Sequence, residues 1–516
     1  MGNIFSHCFT HKQEGSDRWI REEEEGNKHH EQRNSTASAV DRISDLPDDI
    51  LLLILALLPL KSVGQTSVLS RRWIHVWSSY PIFDFYDIFT GNEAVHHQTR
   101  ARIINTVLAR HDETYNIMYP CLKLSLPRFG WDPNDSYCLP RVEELVLDIS
   151  LSSENTSDLP QCQLKCHSLR SDSCGNSKAW LGFPSSYVVG SYLRSLQALS
   201  LINVDFLESA WGVDLFSGSS FPFLEKLDIQ RCRGVSDLKI SCPNLKDIRV
   251  FAMDLNSMDI SGMRLEKLSV LCCFKNCING SWVNIFAPNL QNFSWNSNDI
   301  TEKCSFQSFP ALKTSNLSYL FPSRFTSKIN KNHLVHHLSC SSQVEDLTIC
   351  FDYLQILSEI YFELGGLPFS FSKLKTLTVW LPFKNECIPG IACLFKSSPV
   401  VHTLDIYFWA SIEGNNILLD DANCSTQEQY WETQAQYLIP FLSHLKVVNI
   451  GLHDTIPENA ITFAKFVLKY GRGLQRLILR FIGSNSSLPP NSLNDTIALI
   501  EGLPRASADV KFSTLR

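Results

Sequence analysis

The residues with the most latent chemistry are 17 cysteines and 15 histidines. Their tightest grouping is Cys162, Cys166 and His167, with Cys174 shortly after. Thiolates and imidazoles together suit zinc, but a structural zinc site needs a second ligand pair at a set distance, and none follows. No metal site is therefore expected. Cys272, Cys273 and Cys277 follow an alternating apolar stretch and read as buried fillers. The chain has no Gly-rich phosphate loop, no G-x-S-x-G turn and no H-E-x-x-H pair, so no catalytic residue or cofactor is expected. Asp420 and Asp421 sit in a long interval between apolar stretches and read as solvated. One covalent modification does fit. The start Met1-Gly2-Asn3-Ile4-Phe5-Ser6 matches the N-myristoylation pattern, with Gly2 as acceptor. One acyl chain anchors only marginally, and Cys8 is placed to take a second. Peripheral membrane contact through the N-terminus is the corresponding expectation.

The elements that would position any site come next. Lys and Arg number 46 against 53 Asp and Glu, a net charge of -7, so no broad basic face offers itself to nucleic acid. Apolar content of 44% and charged content of 19% describe a folded soluble chain. A length of 516 residues implies several domains or one repeat array. No apolar leader opens the sequence, so the cysteines are expected reduced, in the nucleus or cytoplasm, and membrane-associated if Gly2 is acylated. Residues 1–40 carry Arg21 and four glutamates in a row and few apolar side chains, and are expected to be disordered.

Residues 43–85 break that pattern. Pro47-Asp48-Asp49 reads as a first helical turn, with acids suited to the helix dipole. From Ile50 to Leu58 no polar residue occurs. A helix with no polar face must be covered on more than one side, and this one is too short to cross a bilayer. A second short helix is expected over Leu60 to Val68, and a third after Ser70, its cap, carrying Trp73, Ile74, Val76 and Trp77. Three such helices are too few for an independent core. The surplus apolar surface points to an interface.

This stretch resembles an F-box. The resemblance is carried by Asp45-Leu46-Pro47-Asp48, Ile54-Leu55, Leu57-Leu58-Pro59, the run Thr66 to Trp73, Trp77, Pro81 and Phe83-Asp84-Phe85. It is closest to the F-box of plant proteins that also hold leucine-rich repeats. In that family the F-box docks on the Skp adaptor of a cullin–RING ubiquitin ligase, and the repeats hold a target protein. The resemblance therefore implies adaptor contacts at Leu46, Pro47, Ile50, Ile54, Leu57, Leu58, Pro59, Leu69 and Trp73.

After an amphipathic stretch over Thr99 to Arg110, the motif L-x-x-L-x-L recurs about every 20 to 30 residues, the leucine-rich repeat period. Examples begin at Leu196, Leu224, Leu245, Leu265, Leu290, Leu374 and Leu474, and Leu122-Lys-Leu-Ser-Leu126 is a related strand-like unit. One strand cannot bury its apolar side alone, whereas stacked copies pair into one parallel sheet and share a core. The fourth and sixth motif positions should face inward and the alternate positions outward. On the outward face Arg249, Phe251, Trp380, Asp405 and Tyr407 are candidates for target contact, since aromatic and Arg side chains dominate interface energetics. Packing of the aromatics onto loops is the competing reading.

Near the end, Pro457-Glu458 starts and Gly471 stops a helix flanked by strands. This unit resembles the FBD module, on Glu458 and the run Phe463 to Leu468, although Gly451-Leu452-His453-Asp454 departs from that module's aromatic-x-Gly turn. The expected fold class is thus α/β: a small all-α three-helix F-box, then an irregular leucine-rich-repeat solenoid with a parallel-sheet horseshoe and a C-terminal strand–helix–strand cap. Expected boundaries are 1–40, 41–88 (F-box), 89–430 (repeats) and 431–516 (FBD-like). The expected function is target recognition for a Skp–cullin–F-box ligase, with an unknown protein substrate and no covalent chemistry of its own. Two alternatives stand beside it: a repeat pocket that needs a small ligand to recruit targets, and a membrane-tethered adaptor without ligase activity.

Overall fold

The structure is a computed structural model. It describes most of residues 43–85, Val107, the strands between 119 and 202, and most of 216–515 apart from 275–279, 320–330, 383–387, 410–426, 454–457 and 483–497. Gly2, Cys8, Cys162, Cys166, His167 and Cys174 lie outside the described side chains, as does the expected helix over 99–110 except for Val107, which is helical and buried. The chain forms two compact units, Met1–Ala210 and Trp211–Arg516.

The first unit opens with α1 (Asp48–Leu55), α2 (Leu60–Thr66) and α3 (Arg71–Ser78). Helix α1 stops at Leu55, short of the end of the apolar run at Leu58, and the residue before Pro59 disfavours helical backbone. The chain tightens instead: the N–H groups of Leu57 and Leu58 donate to the carbonyls of Ile54 and Leu55, three residues back. Helix α2 likewise ends at Thr66, two residues earlier than expected, where Thr66 Oγ1 turns back onto the Val63 carbonyl at 2.6 Å. Strands β1 (Ile82–Asp84), β2 (Tyr119–Ser125), β4 (Val142–Asp148) and β6 (Ala198–Ile202) pair in that order, all parallel, and β3 (Ser136–Cys138) pairs with β5 (Gln163–Lys165).

The second unit holds most of the repeats. Its main sheet runs β8 (Lys226–Gln230), β10 (Asp247–Phe251), β12 (Lys267–Leu271), β14 (Asn292–Asn298), β16 (Thr314–Tyr319), β17 (Asp346–Cys350), β18 (Thr376–Pro382), β19 (Thr403–Trp409), β20 (Val447–His453), β21 (Arg476–Ile482) and β22 (Lys511–Leu515). The motif positions fall in register. Leu227, Ile248, Leu268 and Phe293 form one buried row, and Ile229, Val250, Val270 and Trp295 the next. The inward fourth and sixth positions are as the alternation requires.

What returns the chain between repeats changes along the array. Early repeats return through a second parallel sheet, β7 (Phe216–Ser217), β9 (Asp237–Ser241), β11 (Ser257–Ser261), β13 (Trp282–Phe286) and β15 (Lys303–Phe306). Later ones return through helices α4 (Lys331–Cys340), α5 (Phe351–Leu364), α6 (Ile388–Lys396), α7 (Gln427–Leu442) and α8 (Glu458–Tyr470). Spacing explains the switch. Strands β8 to β16 begin about 20 to 25 residues apart, room for a second strand, while the later intervals are longer and admit whole helices. The second sheet was not expected from the sequence.

Each short repeat turns from one sheet to the other through a residue in left-handed backbone: Arg231, Ala252, Cys272 and Ser297, with φ of 51°, 52°, 55° and 52°. That conformation costs roughly 1 to 2 kcal/mol per non-glycine residue. It is held by ladder bonds, such as Arg231 N–H to the Phe251 carbonyl and Ala252 N–H to the Leu271 carbonyl, both 2.8 Å. One asparagine locks the stack from inside. Asn298, fully buried, accepts from the N–H groups of Cys273 (2.7 Å) and Phe274 (3.2 Å) and donates to the Val270 carbonyl (2.9 Å). It stands three residues past Trp295, where strict leucine-rich repeats carry their asparagine.

Candidate partner-binding surfaces

Helix α1 has two unlike faces. Leu51 and Leu55, four apart, are 1% and 0% exposed. Ile50, Leu53, Ile54 and Leu57 follow the i, i+3, i+4, i+7 spacing of one stripe, and all are exposed, Leu53 at 65% and Leu57 at 86%. Leu58, Pro59, Val68 and Leu69 are exposed as well, and so is Ile43. Among the described residues, the apolar part of α1 is therefore covered on one side only. Exposed apolar side chains scattered singly are ordinary, whereas a contiguous stripe marks an interaction site.

The three helices are tied so that this stripe has a fixed shape. Ser70 Oγ accepts from the Trp73 N–H at 3.4 Å, capping α3 as its sequence requires. Arg72 crosses back to the start of α1, with Nε and Nη2 2.9 and 2.7 Å from Asp48 Oδ1, and Nη2 also donates to the Leu46 carbonyl. The Tyr80 hydroxyl donates to the Leu55 carbonyl at 3.4 Å. Behind the stripe, Leu60, Val63, Val76, Trp77, Tyr80 and Phe83 are buried.

Of the expected adaptor contacts, Pro47, Ile50, Ile54, Leu57, Leu58, Pro59 and Leu69 are exposed, and Leu46 and Trp73 half-buried. The expectation omitted Leu53, Val68 and Ile43, which the structure adds to the same surface. Spacing alone could have found Leu53, the middle residue of the stripe.

The candidate target face divides into two places. Arg249 and Phe251 share β10, where the Arg231 guanidinium lies 5.5 Å from the Phe251 ring centre. Trp380, Asp405 and Tyr407 meet on β18 and β19. The Trp380 and Tyr407 rings stack at 4.5 Å and 19°. Tyr407 is a support rather than an exposed contact: it is only 8% exposed, and its hydroxyl accepts from Arg480 Nη1 at 3.0 Å. Asp405 accepts from Asn449 Nδ2. Burial raises its carboxyl above the usual range, opposed by the Asn449 hydrogen bond and the Arg480 charge. Sequence reasoning missed Asn449 and Arg480, which share the outward face across β20 and β21.

Cys232, Cys242, Cys272, Cys273, Cys304, Cys340, Cys350 and Cys393 are free, and burial pushes Cys242 up to about 12 and Cys350 and Cys393 up to about 11. Cys304 Sγ lies 3.1 Å from His337 Nε2, whose Nδ1 is 3.2 Å from the Tyr353 hydroxyl. That chain is buried against Phe306 and Trp295, and burial, then Cys340, raises the Cys304 thiol. Among the described residues, no three His, Cys, Asp or Glu side chains are grouped so as to hold a metal ion.

The F-box domain family matches residues 43–85. A putative F-box/FBD/LRR-repeat protein of Arabidopsis thaliana is 30% identical over 500 residues, 92% of this chain and 95% of the relative. The chain belongs to the F-box/FBD/LRR-repeat family. A putative F-box/LRR-repeat protein of the same plant is 25% identical over 477 residues, 87% of this chain and 89% of its own. An F-box/FBD/LRR-repeat protein, also from Arabidopsis thaliana, is 30% identical over 229 residues, 40% of this chain and 48% of the relative. In this F-box/FBD/LRR-repeat protein the matched segment holds the exposed stripe of α1. Helix α8 and its flanking strands β20 and β21 extend the repeat sheet.

Proposed function

We propose that the chain is the target-recognition subunit of a Skp–cullin–F-box ubiquitin ligase. The observation that carries the proposal is the apolar stripe Ile50, Leu53, Ile54 and Leu57, exposed on the matched F-box segment and backed by a fixed helical frame. Burying one such side chain against a partner is worth roughly 1.5 to 3 kcal/mol. The F-box thus binds a Skp-family adaptor, and the repeat sheet holds the target. The chain acts by raising the local concentration of target lysines near the charged conjugating enzyme, without covalent chemistry of its own.

The test is co-precipitation of the full chain with a Skp-family adaptor. The double change Leu46→Ala and Pro47→Ala is expected to abolish recovery while leaving the repeat unit's unfolding transition in place. Undiminished recovery contradicts the proposal.

A further inference from the structure

Charge is balanced along most of the edge where the chain enters the repeat sheet, and the balance fails at one end. The residues just before the strands form one row, tied repeat to repeat through the backbone. Lys246 N–H donates to the Glu225 carbonyl, and the same bond recurs from Lys375 to Glu345, from Lys446 to His402 and from Gln475 to Lys446. In the early and middle repeats this row pairs opposite signs: Lys246 Nζ lies 2.8 Å from Glu225 and Lys375 Nζ 2.7 Å from Glu345. The first residues of the strands behave alike. Lys226, Asp247 and Lys267 stand in register, one carboxylate between two cations.

From β20 onward the compensation stops. Lys446 precedes β20, Arg472 lies in the turn before β21, and Arg476 opens β21 in register with Lys511, which opens β22. All four are exposed, and none has an ion pair or a side-chain hydrogen bond among the described residues. Gly473 lies against the Ser443 carbonyl, which stacks the turn holding Arg472 on the turn before Lys446. Residues 443–447 and 472–476 hold no carboxylate, and Asp509, before β22, lies outside the described residues. Glu432, which meets the last turn of α8, is held by Lys469 Nζ at 2.7 Å and by the Tyr470 hydroxyl at 2.6 Å. Like charges opposite one another on neighbouring strands destabilise a sheet. Arg476 beside Lys511 is therefore a cost to the free chain that a bound anion would remove.

Shape and extent narrow the anion. The cations come singly from successive repeats, about 4.8 Å apart per strand, and do not converge on one point as a phosphate would require. Toward β17 the same edge carries Glu345 and Asp346, so a bilayer or a nucleic-acid duplex broader than three strands would meet carboxylates there. A short run of separate carboxylates fits. We infer that the entry edge of β20 to β22 binds an acidic segment of the target protein, its Asp and Glu side chains laid across Lys446, Arg476 and Lys511. An extended chain rises about 3.3 Å per residue, so about three to five residues cover this edge. The assignment rests on the reading of the repeat sheet as the target surface.

The experiment is fluorescence anisotropy of the full-length chain with a labelled ten-residue peptide holding five consecutive glutamates. Binding should saturate, weaken between about 50 mM and about 300 mM salt, and vanish when glutamine replaces glutamate. The double change Lys446→Gln and Arg476→Gln should lower affinity about tenfold, the scale of two exposed ion pairs, without lowering the melting temperature. Should that variant melt early, Arg472→Gln alone gives the same readout with a loss of about threefold. Lys267→Gln, in the balanced row, should change nothing. A peptide with one phosphoserine among neutral residues should bind no better than the glutamine peptide. The Leu46→Ala, Pro47→Ala chain should bind the acidic peptide as the wild type does, and the Lys446→Gln, Arg476→Gln chain should still recover the adaptor, so failure of this site is distinguishable from failure of the ligase reading. Equal binding of the glutamate and glutamine peptides, wild-type affinity in the double variant, or preference for the phosphoserine peptide each overturns the assignment.

Discussion

Gly451→Ala tests the packing of the outward sheet face around Tyr407 at a single methyl group. The new Cβ would fall 1.9 Å from Tyr407 Cδ1 and 2.4 Å from Cε1, far inside contact distance, so the ring must leave. Its departure breaks the stack on Trp380, worth about 0.5 to 1.5 kcal/mol. It also breaks the hydrogen bond from Arg480, worth about 1 kcal/mol at this half-exposed site, and re-exposes a buried ring for roughly 1 to 2 kcal/mol more. Removing a strand glycine returns up to about 1 kcal/mol of backbone entropy. The net expectation is a loss of about 2 to 3 kcal/mol in urea unfolding followed by circular dichroism. The same substitution made in a Tyr407→Ala chain should be neutral or stabilising, because nothing remains to be displaced. Equal cost in both backgrounds, or less than about 0.5 kcal/mol in the wild type, would refute the packing described for this face.

Two further outcomes follow from buried polar groups. Burial lifts the Asp352 carboxyl, in the first turn of α5, to about 6 from an ordinary 3.8. A raised carboxyl holds its proton longer in the folded chain, so stability should fall as pH rises from about 4 to about 6, by at most about 3 kcal/mol. Asp352→Asn should flatten that slope and stabilise the protein at neutral pH, read from urea midpoints across the range. Asn298→Ala strips partners from two buried N–H groups and one carbonyl, and should cost roughly 3 to 5 kcal/mol, visible as a lower melting temperature.

Much of the architecture is legible in the sequence because the physics is periodic. L-x-x-L-x-L places its fourth and sixth residues inward wherever strands stack, and Leu227 with Ile229 or Leu377 with Val379 obey it. Ser70 and Gly471 mark helix ends through local hydrogen bonds, and α8 begins at Glu458 as its start signal requires. What escaped the sequence depends on contacts between distant residues. The return strands read as loops, since segments such as Asp237–Ser241 are short and half polar, and only the neighbouring repeat buries Leu238 and Ile240. Asn298 is one polar residue among many until its three backbone partners are seen. Tyr407 sits at an outward position by alternation, yet Gly451 one strand over gives it a place to lie flat. In α1 the run of leucines hides its own division, and only the buried pair Leu51 and Leu55 shows which side remains for a partner.

That division makes the most direct measurement. Calorimetric titration of the full chain with a purified Skp-family adaptor should compare the wild type with a Leu53→Ala, Leu57→Ala chain. Both side chains are exposed, so the melting temperature should stay within the change of about 0.5 kcal/mol typical of surface substitutions. Affinity should fall about a hundredfold, as expected for two leucines lost from an interface. Leu55→Ala, at a fully buried position, should instead cost roughly 2 to 5 kcal/mol of stability. An unchanged dissociation constant for the double variant, with the fold intact, would contradict the assignment of the α1 stripe to the adaptor.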